Sequence, residues 1–246
     1  MITVIGLLIA HWFLSLFFQT FFLHRYSSHP LFKMPKFWEK TFYFLTWATQ
    51  GPSFLNPRAY SIMHQRHHHF SDKEGDPHSP HQSPNFIEMM KHTYKEYQSL
   101  LEDEDKEIPH FINKSYPQWK SIDNFSKTGY NVYFWIFIYF MAYIALSVPW
   151  YLFPAIAIHS FMGPIQGAIV NWCGHYIGYR NFDTQDKSRN TLFLDIPLMG
   201  ELYQNNHHKN CQKINFAKRW FEIDVTYYLS LMLNRLGIIQ IRETSL

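Results

Sequence analysis

Residues 1–23 read MITVIGLLIAHWFLSLFFQTFFL, twenty-three positions without a charged side chain. As a helix this stretch is about 35 Å long, enough to cross a bilayer core of about 30 Å. It has neither the basic start nor the small-residue cleavage site of a signal peptide, so a retained transmembrane helix is expected. The next residues, HRYSSHP, place His24 and His29 five apart at its end, with Pro30 closing the helix.

Two further apolar runs follow. Residues 131–148, NVYFWIFIYFMAYIALSV, and 151–172, YLFPAIAIHSFMGPIQGAIVNW, are separated by Pro149 and Trp150 and read as a helical hairpin whose returning arm is kinked by Pro154, Pro164 and Gly167. The stretch 37–55 mixes Trp38, Phe42, Phe44 and Trp47 with Glu39, Lys40, Thr46, Thr49 and Gln50, and ends at Gly51-Pro52. A crossing there would part the histidines at 24 and 29 from those at 64 to 69, so an interfacial or re-entrant segment is expected.

Charge placement orients these segments. All 22 lysines and arginines lie within Arg25 to Lys127 or Arg180 to Arg242, and short basic segments stay on the cytoplasmic side. The expected architecture is therefore an all-α integral membrane fold forming one domain over residues 1–246. Transmembrane helices 1–23, 131–148 and 151–172 carry a cytoplasmic helical cap of residues 56–130 and 173–246. Within the cap, LEDEDKEI at 101–108 reads as a solvated acidic run, and 220–239 as an amphipathic helix lying against the membrane face or the cap. The net charge of +3 and the absence of a basic stripe exclude a nucleic-acid surface.

Fifteen histidines against two cysteines make histidine the residue to explain. In HQRHHHF at 64–70, His64, His67 and His68 stand at i, i+3 and i+4 and share a helix face. His69 points about 140 degrees from His64 and is excluded as a ligand. In YQNNHHK, Gln204, His207 and His208 repeat that spacing, and in NWCGH, Asn171 and His175 are i and i+4. Cys173 faces elsewhere and reads as a packing residue. The single histidines His11, His78, His81, His92, His110 and His159 read as surface or hydrogen-bonded interior residues. Eight converging imidazoles exceed one tetrahedral site and fit two metals; imidazole alone does not choose among zinc, copper, iron and nickel.

These clusters resemble the membrane-bound fatty acyl desaturases, specifically the acyl-CoA (stearoyl-CoA) delta-9 desaturase-like branch in its bacterial type, from about Phe17 to Asp224. HRYSSH is similar to that family's first histidine box, HQRHH to its second and QNNHH to its last, and SDKEGDPHSP, NWCGHYIGYRNFDTQDKSRN and GELYQNNHHKN match as flanks. The resemblance implies a non-haem di-iron centre, two iron ions held by His24, His29, His64, His67, His68, His175, His207 and His208, with Asn171 reaching one iron through a water. Gln204 stands where well-known animal and fungal members have histidine, and either ligates through its carbonyl oxygen or holds a water.

The implied reaction is insertion of a cis double bond into a long-chain acyl substrate, acyl-CoA foremost, with dioxygen as oxidant. Electrons come from a ferredoxin, a rubredoxin, or a b-type cytochrome with its reductase. The chain carries no dinucleotide glycine fingerprint and no cysteine quartet. The implied setting is a multi-pass protein of the bacterial inner membrane, in contact with lipid, with its site on the cytoplasmic side. Arg58, Arg66, Lys209 and Lys213 are candidates for receiving the donor or the substrate headgroup. A lipid hydroxylase or ketolase shares such boxes. A histidine-rich membrane metal carrier is a further alternative, weakened because only His11 and His159 lie inside apolar runs.

Overall fold

The computed structural model describes residues 1–102, 109–113 and 115–246, and among these it contains ten α-helices. Helix α1 (Ile2–Phe18) continues without a break into a π-helical segment, Gln19–Ser28. Then come α2 (Lys36–Gln50), α3 (Pro57–Phe70), α4 (Phe86–Glu102), α5 (Lys120–Ser126) and α6 (Gly129–Ala145). The chain closes with α7 (Ala155–Ser160), α8 (Met162–Tyr176), α9 (Gln204–Lys209) and α10 (Val225–Arg235). An all-helical reading needs one amendment: β1 (Phe32–Lys33) pairs antiparallel with β2 (Gln240–Ile241), tying the last residues to the chain just after His29.

By length and composition one helix, Ile2–Ser28, is able to cross a membrane, and a second if the bent pair Trp150–Ser160 and Met162–Tyr176 counts as one span. Gly129–Ala145 is apolar but shorter, at 17 residues. The returning arm expected over 151–172 is not one kinked helix but a 3-10 turn, α7 and α8, bent by 53° at Phe161. The cause is Pro164, which has no N–H to donate to the Ser160 carbonyl and so ends the hydrogen-bond ladder there. Pro154 lies ahead of α7 and Gly167 sits inside an unbroken α8, so neither bends a helix.

The 37–55 segment turns beside the middle of α1. His11 Nε2 donates to the Thr49 carbonyl at the end of α2 (2.6 Å), and the chain reverses at Gly51–Ser53 and returns as α3. Gly51 has φ +57°, and the Tyr139 hydroxyl of α6 occupies the place a side chain would need. His11 and His159 are interior residues paired through their Nδ1 atoms at 2.7 Å, and the Tyr143 hydroxyl lies 3.0 Å from His159 Nε2. Since Thr49 can only accept, each proton in this chain of bonds has one place: His11 on Nε2, His159 on Nδ1, Tyr143 donating.

The main core surrounds the π-helical segment, where Phe21, Phe22, Leu23 and Leu31 are fully buried against Phe42, Tyr43 and Ile214. The helix expected over 220–239 begins only at Val225. Asp224, within the expected helix, is instead its N-cap, accepting from the Tyr227 amide at 3.0 Å, and is wholly buried. Of the acidic run, Leu101 and Glu102 end α4, while 103–108 lie outside the described residues.

Candidate metal centre

His29 stands five positions after His24, and a π-helix, bonded from i to i+5, puts such a pair on one face. The His29 amide donates to the His24 carbonyl at 3.1 Å, which is that bond. Helix α3 starts on Asn56, whose carboxamide accepts from the Arg58 and Ala59 amides, with Pro57 in the first turn. It presents His64, His67 and His68 toward the π-helical segment. Helix α9 brings His207 and His208 opposite them, and α8 brings His175.

The imidazoles form two groups. His24, His29, His64, His68 and His207 place one ring nitrogen each within 4.8 Å of one another, and His67, His175 and His208 do likewise. In the first group the Nε2 atoms of His29 and His64 are 2.7 Å apart, those of His64 and His68 3.0 Å, those of His68 and His207 2.9 Å, and those of His24 and His207 3.0 Å. In the second, His67 and His208 approach at 3.2 Å through Nε2. His69 lies outside both groups, stacked on Phe111 with ring centres 3.8 Å apart.

Carboxylates decide what these nitrogens can do. Glu201 accepts from His24 Nδ1 at 2.7 Å, Asp76 from His67 at 2.9 Å, Asp72 from His175 at 2.9 Å and Asp186 from His208 at 2.8 Å. Each bond places the proton on Nδ1 and leaves Nε2 as a bare lone pair aimed inward. Lone pairs about 3 Å apart repel unless a cation lies between them, and two imidazoles each about 2.1 Å from a shared ion stand about that far apart. The donor set therefore fits a pair of transition-metal ions.

Burial, reinforced by the neighbouring imidazoles, drives His29, His64, His68 and His207 far below the ordinary histidine range. Burial also takes His208 down to about 4 against the pull of Asp186. At His67 burial works the same way but is outweighed by Asp76, and the group ends above its ordinary value. Burial disfavours the charged forms of Asp72, Asp76 and Asp186, yet their histidine partners hold all three well below the usual carboxylate range.

Because the lowered histidines bind protons more readily in the unfolded chain, the metal-free protein gains stability as pH rises and loses it as pH falls from 6.5 toward 4. Thermal denaturation of the chelated protein across that interval is expected to show a rising midpoint; a flat profile contradicts it.

The carboxylates escape a search for histidine spacing, since they sit in loops whose only signal is an acidic residue near a box. Asp72 pays for its position with φ +60°, a left-handed conformation uncommon for a residue with a side chain. His78, read from sequence as a surface or hydrogen-bonded interior residue, is buried with its ring centre 4.3 Å from that of His67, and it groups with His67 and Asp76. Burial and then His67 lower it to about 3.

Asn171 and Gln204 line the cavity beside these groups. Gln204 is buried, donates its amide to the Glu201 carbonyl at 2.7 Å and packs over Gly174, where the absence of a side chain leaves room for it. Of the basic candidates, Arg66 pairs with Glu96 at 2.8 Å and Arg58 donates to the Leu100 carbonyl.

The cavity, about 180 Å³, is lined by residues of α4 together with His24, His64, His67, Leu16, Gln19 and Gly167, and its walls are mostly apolar. The model of the family described as fatty acid desaturase matches residues 1–218. The chain belongs to the fatty acid desaturase family. Relatives include the hex-5-enoyl-[acyl-carrier protein] acetylenase of Moorena producens (strain JHB), 29% identical over 255 residues covering 96% of this chain and 75% of the relative. The delta-9 desaturase-like 4 protein of Arabidopsis thaliana is 30% identical over 226 residues, 89% of this chain and 69% of the relative. The icosanoyl-CoA 5-desaturase of Limnanthes douglasii is 28% identical over 227 residues, 89% and 59%. This desaturase is thus an oxidoreductase of lipid metabolism with a histidine-rich centre able to bind metal.

Proposed function

We propose that the enzyme introduces a cis double bond, at the delta-9 position, into a long-chain acyl thioester, acyl-CoA foremost. Its two irons are held by His24, His29, His64, His68 and His207 at one position and by His67, His175 and His208 at the other. Asn171 reaches the second position through a water, and Gln204 stands beside it. The observation that carries this reading is the convergence of eight imidazoles, four of them held by carboxylates, beside an apolar cavity that His24, His64 and His67 help to line. Electrons reach the site from a ferredoxin, a rubredoxin, or a b-type cytochrome with its reductase. The protein spans the inner membrane several times, with residues 37–55 re-entrant and the site facing the cytoplasm.

Iron, when bound, supplies activation of dioxygen to an oxidant able to take hydrogen from an unactivated methylene. The rest falls to the chain. Burial of the acyl tail contributes about 0.8 kcal/mol per methylene and positions one pair against the histidines. Glu201, Asp72, Asp76 and Asp186 keep the imidazoles in one tautomer and orientation. The apolar lining excludes water, which keeps the oxidising equivalents for the substrate.

Membranes containing the enzyme, an electron donor and stearoyl chains on coenzyme A or on carrier protein test the reading by mass spectrometry. Loss of two hydrogens supports it and identifies the carrier; gain of oxygen replaces it with hydroxylation. Gln204→His should slow metal release to a chelator, because it adds an imidazole next to the position that has three. Faster release from a folded variant contradicts the placement of the third box.

A further inference from the structure

The segment ahead of α9 reads TLFLDIPLMGELY, residues 191–203, and its two charged side chains, Asp195 and Glu201, are both buried. Asp195 gathers the backbone of this loop around itself. Its carboxylate accepts from the Leu198 amide at 3.0 Å, the Gly200 amide at 3.1 Å and the Leu202 amide at 2.8 Å. The Tyr203 hydroxyl accepts from the Asp195 amide at 3.0 Å and donates to the Phe193 carbonyl at 3.2 Å. The apolar side chains turn the other way: Phe193 is 68% exposed, and Leu194 and Ile196 are 46% exposed each.

The contact with α1 sets the depth of this loop. Trp12 Nε1 donates to the Pro197 carbonyl at 2.8 Å, and Leu16 packs against Leu198, Met199 and Leu202. A bilayer core takes up about 20 helical residues. Whichever such run of Ile2–Ser28 is chosen, Trp12 falls inside it, and about nine or more residues, some 13 Å of helix, separate it from the edge nearer the histidines. Side chains lean toward the N-terminus of their helix, so the indole and Pro197 with it lie no nearer that edge.

Backbone at such a depth survives only where its polar groups have partners within the protein. Proline has no N–H to satisfy, and the indole satisfies the Pro197 carbonyl. Farther along, Phe193 stacks on Tyr179 with ring centres 5.2 Å apart and meets Phe221 at 5.5 Å, beside Trp220, which is 94% exposed. Aromatic rings of this kind collect where hydrocarbon meets headgroups.

We propose that residues 193–197 form a re-entrant loop that dips beside α1 into the leaflet on the histidine side and presents Phe193, Leu194 and Ile196 to lipid acyl chains. This rests on the reading that Ile2–Ser28 crosses a bilayer. The test is nitroxide labelling of the full-length enzyme in liposomes of phosphatidylethanolamine and phosphatidylglycerol. Cys173 and Cys211, the two native thiols, are first replaced by Cys173→Ala and Cys211→Ser. Collisions with oxygen, which concentrates in hydrocarbon, are then compared with collisions with a nickel chelate, which stays in water.

Phe193→Cys, Leu194→Cys and Ile196→Cys replace exposed side chains, and circular dichroism checks that each variant is folded. Their oxygen-to-nickel ratios should approach that of Ile9→Cys, on the exposed face of α1, and exceed that of Lys73→Cys, on the exposed surface of the cap. If Ile9→Cys favours oxygen while the loop positions favour nickel, the loop lies in water and the proposal is refuted. If both reagents are excluded from the loop, another protein surface, such as a second copy of the chain, covers it, and the proposal is refuted as well. If Ile9→Cys itself favours nickel, the membrane reading fails and takes the loop with it.

Discussion

His68→Ala is expected to strip metal from the five-imidazole position and to lower turnover by more than about 100-fold. Replacing a mere outer-shell partner of a metal ligand already costs about 10–100-fold, and His68 is placed to bind directly. Its Nε2 lies 3.0 Å from that of His64 and 2.9 Å from that of His207, so its loss opens the middle of the group. His69→Ala, one residue on, should keep its metal and most of its activity, because that ring is stacked on Phe111. Metal analysis of the two purified variants, with circular dichroism to show that both remain helical, separates the residues. Equal metal loss would contradict the division of α3 into a ligating and a packing face.

Arg25→Met should be the most destabilising single change outside the histidines. Arg25 is completely buried, donating to Glu201 at 2.9 Å, to Asp224 at 2.8 Å and to the Ile214 carbonyl at 3.1 Å, over the Phe216 ring. It also bonds Thr20, which in turn bonds Glu201. Removing the cation leaves two buried carboxylates without their counter-charge, a loss of about 3–5 kcal/mol. It also frees Glu201, the group that orients His24, so any folded protein recovered should bind metal weakly. Denaturation in detergent, with metal content measured on the folded fraction, checks both effects. An unchanged transition would mean that the ion network contributes little.

The histidine groups were legible because their spacing is a property of one helix turn: four-residue steps in α3 and α9, and a five-residue step that a π-helix closes. The supporting carboxylates were not. Asp72 and Asp186 reach their histidines across 103 and 22 residues, separations on which periodicity is silent. His78 is interior, one of the two places its sequence reading allowed, but its position beside His67 was not legible, since that depends on how the loop after α3 folds back. The break at Phe161 was foreshadowed by Pro164 but placed wrongly, because a proline removes a bond to the residue four before it and the bend appears upstream. The burial of Asp224, inside the stretch read as an amphipathic helix, was not legible because its partner Arg25 lies 199 residues away.

On the proposed function these imidazoles hold two irons, and the irons serve desaturation. Its most direct test is expression of the chain in a host lacking its own desaturase, reading iron per protein and fatty-acid unsaturation in the same membranes. About two irons per chain, with new monounsaturated acyl chains lost in His68→Ala, is the expected result. Zinc in place of iron, with no change in the acyl chains in the presence of a competent electron donor, would contradict the account.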